Sequence, residues 1–326
     1  MKTAAKLVKV LAWLLATATL CIGTAQSQTY PDRRVRLIVP TGPGNVTDTV
    51  SRLLAQELSA LWGQPVVVEN LPGQSGVIGT QALVKAPPDG YTIEMAPINL
   101  AIIPAIYSNL PYDTVKDLKP VALVTSNPFL LAVNPGVAAN SVAEFVALAK
   151  SKPGQINYSS PGNGSAPHLA VEMFTHMAGI KLTHVPYKTM GQAITDTMSG
   201  QVSLVFTSLG TILPLVKSGK LKALAVSGSM RSPLLPEVPT LAQAGVPGYE
   251  MKSWGGIMVP AGVPDPIVAK LQADILKVFG TAAIKDRLAA SATDVDLKNS
   301  AEFSKYFDEE ISKWKRVVKE SGAKID

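Results

Sequence analysis

The sequence predicts an α/β fold built from parallel sheets. Short apolar strand segments alternate with helical segments along most of the 326-residue chain. Two of these strands are followed by a glycine-rich loop and then a helix, which is the order of a parallel strand–helix unit. The apolar fraction of 47% allows a sizeable core, and the length suggests about two domains. Open parallel sheets bind ligands at the carboxyl ends of their strands.

The first 25 residues have the features of an export signal. A lysine-rich start precedes an apolar stretch over 10–22, which is short for a membrane span. Gly23 and Ala25 are small residues at the −3 and −1 positions, so cleavage is predicted after about Ala25. Cys21, the single cysteine, lacks the neighbours of a lipoprotein signal. The mature protein is therefore expected to be exported, unlipidated and free of cysteine, with an uncleaved N-terminal anchor as the alternative.

The charge of the chain does not indicate nucleic-acid binding. The formal net charge is +6, but the signal holds three lysines and no acid, so the remainder carries +3. No basic block with interleaved aromatic residues follows. A single cysteine excludes a disulfide framework and a cysteine-based metal site. The sequence contains no nucleotide-binding glycine motif, and no cofactor is expected.

The first half of the chain follows the strand–helix order. Apolar runs predict strands, and apolar residues at helical spacing predict helices. Strands are predicted at 35–39, 66–69 and 91–95, and helices at 49–61 and 78–85. The long apolar segment over 121–133 predicts a strand that leaves one domain for another.

The second half repeats this pattern. Ser141 and Glu144 form a capping box at the start of one helix, and Asp265 is expected to cap another helix that has Pro266 at its first position. Strands are predicted at 156–160, 202–206 and 223–226, and helices at 142–150, at 167–178 and, amphipathic, near the C-terminus around 303–318.

Two loops of matching sequence are the candidate functional site. Pro40–Asp48 and Ser159–His168 both follow a strand, both open a helix, and both contain Pro-Gly-Asn-x-Ser/Thr. Glycine allows a ligand to approach the backbone closely, and the free N–H groups of a helix start attract an anion. Two such loops are expected to bind one anionic group from both sides. The alternative is a pair of ordinary tight turns.

The candidate binding residues lie within these two loops. In the first they are Thr41, Gly42, Gly44, Asn45, Thr47 and Asp48, and in the second Ser159, Ser160, Gly162, Asn163, Gly164, Ser165 and His168.

Catalytic and metal-binding motifs are absent from the sequence. It contains no His-Glu-x-x-His, no Gly-x-Ser-x-Gly and no Walker loop. His168 and His176 lie two turns apart on one helix, too far to share a metal ion. His176 and His184 are interpreted as packing or surface residues, and His168 as a residue that supports the second loop. No metal ion and no catalytic residue are predicted.

A collinear series of short motifs resembles a known family. The series includes Val66–Asn70 with Pro72-Gly73, Asp89–Thr92, His184–Lys188, Pro236–Thr240 and Ala244–Tyr249. These segments are similar to those of the extracytoplasmic solute receptors of tripartite tricarboxylate transporters, also called Bug proteins. The resemblance covers nearly the whole mature chain.

The resemblance implies a type II periplasmic-binding-protein fold, with two mainly parallel, helix-flanked domains and a ligand cleft between them. Domain I would comprise 26–127 plus 253–326, and domain II would comprise 128–252. The second crossing segment would be the return near 254–260. In the family, the two glycine loops contact a ligand carboxylate, partly through water, and Thr207 and Ser208 occupy positions that lie near the ligand.

The resemblance also implies a function. The protein is expected to capture a small organic mono- or dicarboxylate in the periplasm, as a monomer, and to deliver it to the membrane subunits of a transporter. One alternative is a periplasmic sensor that presents the ligand to a signalling receptor. A hydrolase on the same scaffold is a third reading, disfavoured by the missing nucleophile–base motif. Thr41, Asn45 and Val46 replace residues that are usually Phe, Gly and Gly in the family, so no particular substrate is transferred.

Overall fold

The structure, a computed structural model, describes residues 30–321 and confirms the α/β class. The predicted signal, its cleavage site after Ala25 and Cys21 lie outside the described residues. Over the described range, ten strands form one continuous sheet, and ten α-helices flank it. No helix in this range is long and apolar enough to cross a membrane.

The bounds of the elements are as follows. The strands are β1 (Val35–Val39), β2 (Val66–Asn70), β3 (Thr92–Pro97), β4 (Leu118–Val133), β5 (Asn157–Ser160), β6 (Thr183–Pro186), β7 (Leu204–Ser208), β8 (Lys222–Val226), β9 (Lys252–Pro260) and β10 (Asp294–Lys298). The helices are α1 (Val46–Trp62), α2 (Val77–Val84), α3 (Asn99–Ile106), α4 (Val142–Ser151), α5 (Ala166–Ala178), α6 (Met190–Ser199), α7 (Leu209–Lys217), α8 (Asp265–Phe279), α9 (Ala282–Ala289) and α10 (Ser300–Ser321).

The sheet has two parallel portions joined by antiparallel strands. The strand order is β2-β1-β3-β9-β4-β7-β5-β6, and β8 and β10 also pair with β4. β1 is parallel to both β2 and β3, and β5 is parallel to both β6 and β7. β9 is antiparallel to β3 and β4, and β7 is antiparallel to β4. The sheet thus consists of a first portion around β1 and a second portion around β5.

β4 connects the two portions. Residues 118–128 of this strand pair with β9, and residues 129–133 pair with β7. The strand predicted at 121–133 is therefore confirmed, with three further residues at its start. The return segment predicted near 254–260 is confirmed as β9, whose first residue, Lys252, pairs with Pro128.

Buried apolar side chains form the core on both faces of the sheet. One cluster packs β1 and β3 against α1 and α8, with Leu37, Leu54 and Phe279 fully buried. A larger cluster packs α10 against the connecting strands, where the Trp254 ring meets Phe303 edge-on at 5.6 Å between centroids. The amphipathic pattern of the C-terminal helix is explained by this packing.

Of the two predicted helix caps, one differs in the structure and the other is present. Helix α8 begins at Asp265 with Pro264 as its N-cap, so the predicted Asp265 cap is wrong by one position. The Asp265 carboxylate instead accepts from Lys119 Nζ at 2.9 Å. At Ser141 the predicted cap is present, since its Oγ accepts from the Glu144 N–H at 3.2 Å.

Candidate functional site

The two glycine loops belong to strand–helix units whose parallel sheets end near the same stretch of β4. β3 is parallel to β1 and ends at Pro97. Pro97 pairs with Gly255 of β9, and Gly255 pairs with Thr125 of β4. β7, which is parallel to β5, ends at Ser208 opposite Phe129. The carboxyl ends of both parallel portions therefore approach residues 125–129. A ligand cleft is expected where such strand ends meet.

Asn45 organises the first loop and caps α1. Its Oδ1 accepts from the Asp48 N–H at 3.0 Å, and its Nδ2 donates to the Gly42 carbonyl at 2.8 Å. The Thr41 hydroxyl donates to the same Oδ1 at 3.3 Å. Gly44 adopts φ +85°, which a side chain would disfavour. The loop is thus a compact turn shaped by its own amide.

The carboxylate of Asp48 is buried beneath this turn. It accepts from the Gly44 N–H at 2.9 Å, Arg52 Nε at 3.0 Å and Asn70 Nδ2 at 2.9 Å. Burial opposes ionisation, but these hydrogen bonds and the Arg52 charge outweigh it and lower the pKa of Asp48. Because both carboxylate oxygens already accept hydrogen bonds within the protein, Asp48 stabilises the loop from its buried side.

The start of α1 leaves donors free for a ligand. The N–H groups of Val46 and Thr47 lie in the first helical turn, where no intrahelical carbonyl reaches them. Both residues are partly exposed, as are Thr41 and Gly42. The free groups at this helix start are therefore backbone donors, supported by the positive end of the helix dipole.

The second loop has the same construction with serine in place of asparagine. Ser165 caps α5, since its Oγ accepts from the His168 N–H at 3.4 Å and donates to the Gly162 carbonyl at 2.7 Å. Gly162 and Gly164 adopt φ +117° and +69°. Asn163, at the tip, is exposed.

Two serines predicted as ligand contacts are buried behind this loop. Ser159 and Ser160 are fully buried. The Ser159 hydroxyl is 3.0 Å from Thr197 Oγ1, and Ser160 Oγ is 2.6 Å from His184 Nε2. In this geometry both hydroxyls bond within the protein and support the loop.

The third segment of the predicted site ends β7. Thr207 is buried, and the partly exposed Ser208 accepts through Oγ from Asn127 Nδ2 at 2.9 Å. This bond joins the strand end to β4 where the two portions of the sheet meet. Asn127 was not among the predicted residues, although Ser126-Asn127-Pro128 was the one polar interruption of the apolar segment.

His184 is a second residue that the sequence analysis missed. It lies on β6 opposite Tyr158 of β5, and its ring stacks on His168 at 4.2 Å between centroids. Its importance depends on the pairing of two strands that are distant in sequence. The only signal was its position two residues before Pro186 in one of the family-like motifs.

The electrostatics of the site favour a small anion bound by neutral donors. The two loops contain no Lys or Arg. The nearby Arg52 guanidinium already donates to Asp48 and to Asn70 Oδ1 at 2.9 Å. The described residues contain no group of three or more His, Cys, Asp or Glu side chains arranged to bind a metal ion.

Known proteins resemble the chain over nearly its whole length. The family model for the tripartite tricarboxylate transporter family receptor matches residues 50–323. Protein BugT of Bordetella pertussis is 34% identical over 322 residues, which cover 98% of this chain and 98% of BugT.

Solved structures show the same fold. R. palustris Rpa4515 with adipate superposes with a TM-score of 0.84 and 33% identity, covering 91% of this chain and 100% of that one. The periplasmic binding protein BugD superposes with a TM-score of 0.81 and 30% identity, covering 90% of this chain and 99% of BugD. The predicted two-domain periplasmic-binding-protein fold is thereby confirmed.

Proposed function

The chain belongs to the family of tripartite tricarboxylate transporter receptors, and from this membership we propose that it captures a small organic carboxylate between its two glycine loops. One observation carries the proposal: two helix N-termini with matching loops follow strands of the two parallel portions of the sheet, whose carboxyl ends approach residues 125–129. A carboxylate accepts hydrogen bonds only, so it suits a site whose free groups are donors.

We propose different roles for the predicted site residues. The free N–H groups near Thr47 and Asn163 and the Thr207–Ser208 strand end contact the ligand. The Thr41 hydroxyl, which donates to Asn45 Oδ1, shapes the first loop. Asn45, Asp48, Ser159, Ser160, Ser165 and His168 shape the loops, and Gly42, Gly44, Gly162 and Gly164 allow the backbone to approach the ligand.

The domain boundaries follow from the same proposal. Domain I comprises 26–127 plus 253–326, and domain II comprises 128–252. The pairing change of β4 between Pro128 and Phe129 supports the first boundary, and the start of β9 at Lys252 supports the second. Two crossing strands allow the domains to close on a ligand as rigid bodies.

Export and delivery complete the proposed function. The lysine-rich, apolar N-terminus of the sequence supports export to the periplasm with cleavage after about Ala25. The adipate in the Rpa4515 structure supports a dicarboxylate or related acid as the ligand class. Delivery to membrane subunits of a tripartite transporter follows from the family.

Binding without catalysis is the proposed chemistry. Ser160 and His184 form a hydroxyl–imidazole pair at 2.6 Å, the spacing of a nucleophile and its base. Ser160 is fully buried, however, and its hydroxyl donates to the Gly162 carbonyl at 3.1 Å. A buried hydroxyl whose hydrogen already bonds the backbone is a structural group.

A thermal-shift screen tests the proposal. The mature protein is heated with adipate, malate and a series of monocarboxylates, and with adipamide as the uncharged control. A carboxylate at about 100 times its Kd adds about 2.7 kcal/mol of stability and raises the Tm, whereas adipamide leaves it unchanged. No stabilisation by any carboxylate, or equal stabilisation by adipamide, would contradict the proposal.

A further inference from the structure

A cluster of three rings supports the second loop from behind. The ring centroids of His168 and His184 lie 4.2 Å apart, and the Tyr158 ring lies 4.8 Å from His184 and 6.2 Å from His168, so the three rings form a triangle. Taking the proposed carboxylate site as given, we propose that His168 and His184 are positioning residues for the ligand. Each holds one part of the second loop through a single hydrogen bond, and the bond at His168 requires a neutral imidazole.

His168 anchors the end of the loop. Its Nδ1 accepts from the Gly164 N–H at 3.1 Å, so this nitrogen carries no proton. The ring proton then sits on Nε2, which lies 3.9 Å from Glu172 Oε1. A proton on Nδ1 would place two donors against each other and break the bond to Gly164. That bond withdraws the Gly164 N–H from the ligand and sets the direction of the neighbouring peptides.

His184 anchors the beginning of the loop. The single hydrogen of the Ser160 hydroxyl goes to the Gly162 carbonyl at 3.1 Å, and the same oxygen accepts from the Gly162 N–H at 3.2 Å. His184 Nε2 lies 2.6 Å from that oxygen, and with the hydroxyl hydrogen directed to Gly162 the imidazole is the donor. The two histidines thus hold the segment between Ser160 and Gly164, which includes both left-handed glycines.

The surroundings favour the neutral form of both rings. Burial lowers the pKa of His168 to about 4, with the neighbouring His184 adding to the effect, and burial lowers the pKa of His184 to about 4. The titratable groups facing the two histidines are Glu172, which lies on α5 with His168, and Tyr158 of β5. The Tyr158 hydroxyl donates to Glu172 Oε1 and so occupies the oxygen nearest His168.

Substitutions at His168 separate positioning from packing. His168→Asn supplies a side-chain oxygen close to the place of Nδ1, whereas His168→Leu fills the space without an acceptor. We expect His168→Leu to weaken adipate binding about tenfold, or about 1.4 kcal/mol, and His168→Asn to recover most of the loss. His184→Gln, which retains a donor, is expected to bind more tightly than His184→Leu.

A ligand-free readout keeps this test independent of the proposed function. In amide hydrogen exchange by NMR, the Gly164 N–H should be protected in wild type and His168→Asn, and unprotected in His168→Leu. Its chemical shift should also follow the titration of the His168 ring as the pH falls toward about 4. If wild type binds no carboxylate, the proposed function fails while this readout still decides the positioning role. The proposal would be overturned if the Gly164 N–H exchanged in His168→Leu as slowly as in wild type. It would also be overturned if His168→Leu and His168→Asn bound adipate with equal affinity.

Discussion

The buried carboxylate of Asp48 accepts the backbone N–H of Gly44 at 2.9 Å, four residues earlier in the chain. This bond determines the shape of the first glycine loop, since Arg52 and Asn70 fix the carboxylate from the other side. An acid beside an anion site would repel the ligand if it faced the cleft. With its charge paired to Arg52 below the loop, it instead orients the loop.

Removing the Asp48 carboxylate should destabilise the protein and weaken binding together. Asp48→Ala leaves the Gly44 N–H, Arg52 and Asn70 without their acceptor, at a cost of about 1–3 kcal/mol. Arg52→Ala should affect affinity less, because the Gly44 bond remains. Chemical denaturation and calorimetric titration of both variants check this.

Asp265→Ala is the matched control for charge removal. Its side chain is 93% exposed and pairs with Lys119, so the change should stay within about 0.5 kcal/mol. Equal losses in Asp48→Ala and Asp265→Ala would contradict the role assigned to Asp48.

Gly162 should be intolerant of any side chain for a conformational reason. It adopts φ +117°, and a Cβ there would meet only the Tyr187 carbonyl at 3.7 Å, an ordinary contact. Gly162→Ala and Gly162→Val should therefore distort the loop through backbone strain of about 1–3 kcal/mol and weaken carboxylate binding. Titration calorimetry with the best ligand measures the effect.

Gly191, in the first turn of α6, provides the comparison. It has open space around its Cα and no left-handed φ. Gly191→Ala should raise stability by about 0.4–1 kcal/mol and leave affinity unchanged. If Gly162→Val binds like wild type, the backbone does not form the ligand site at this loop.

Glu94 should make stability depend on pH. Its carboxyl is fully buried, with Oε1 accepting from Thr80 and Oε2 without a partner among the described residues. Burial raises the pKa of Glu94 from 4.5 to about 8. The neutral form is therefore the native form. Its contribution is fully present below about pH 4.5 and is lost as the pH rises through about 8.

Denaturation curves at pH 5, 7 and 9 test this assignment. Glu94→Gln should remove much of the decline in stability over that range. Glu69→Gln is the control, because the Arg36 hydrogen bond lowers the pKa of Glu69 and confines its effect to acid pH. A wild-type slope retained in Glu94→Gln would show that the Glu94 carboxyl is ionised in the native protein.

The parts of the fold that sequence predicted are those with strong periodicity. β1 was predicted with its observed bounds, and β4 was predicted because an apolar run of that length fits a buried strand. β6 was missed, since its four residues are partly or fully exposed and carry no apolar pattern. Helix α3 was not predicted; it is short, apolar at almost every position, so it shows no helical periodicity, and it contains Pro104.

The site was predictable as two loops but not as a set of contacts. Sequence alone indicates that Ser160 ends a strand and precedes a glycine turn. It does not indicate that Ser160 faces inward to His184, because that depends on the register of β5 and β6. For Asp48, Arg52 at i+4 was a usable signal of pairing, whereas Asn70 required the neighbouring strand.

Ligand binding should bring the two domains closer together. Small-angle scattering of the mature protein should give a smaller radius of gyration with saturating ligand than without, because two crossing strands permit rigid-body closure. The same measurement on Gly162→Val at the same ligand concentration is the control and should show less closure. An unchanged radius in wild type, with calorimetry confirming saturation, would contradict closure on the ligand.

A crystal structure of the protein with its best carboxylate tests the central claim most directly. The account predicts one carboxylate group between the two loops, with its oxygens about 2.7–3.0 Å, directly or through one water, from N–H groups that follow both β1 and β5. A carboxylate that contacts neither loop would contradict it. So would one bound in the separate cavity of about 590 Å³ between α5 and α10, where Lys313 and Arg316 offer cationic partners.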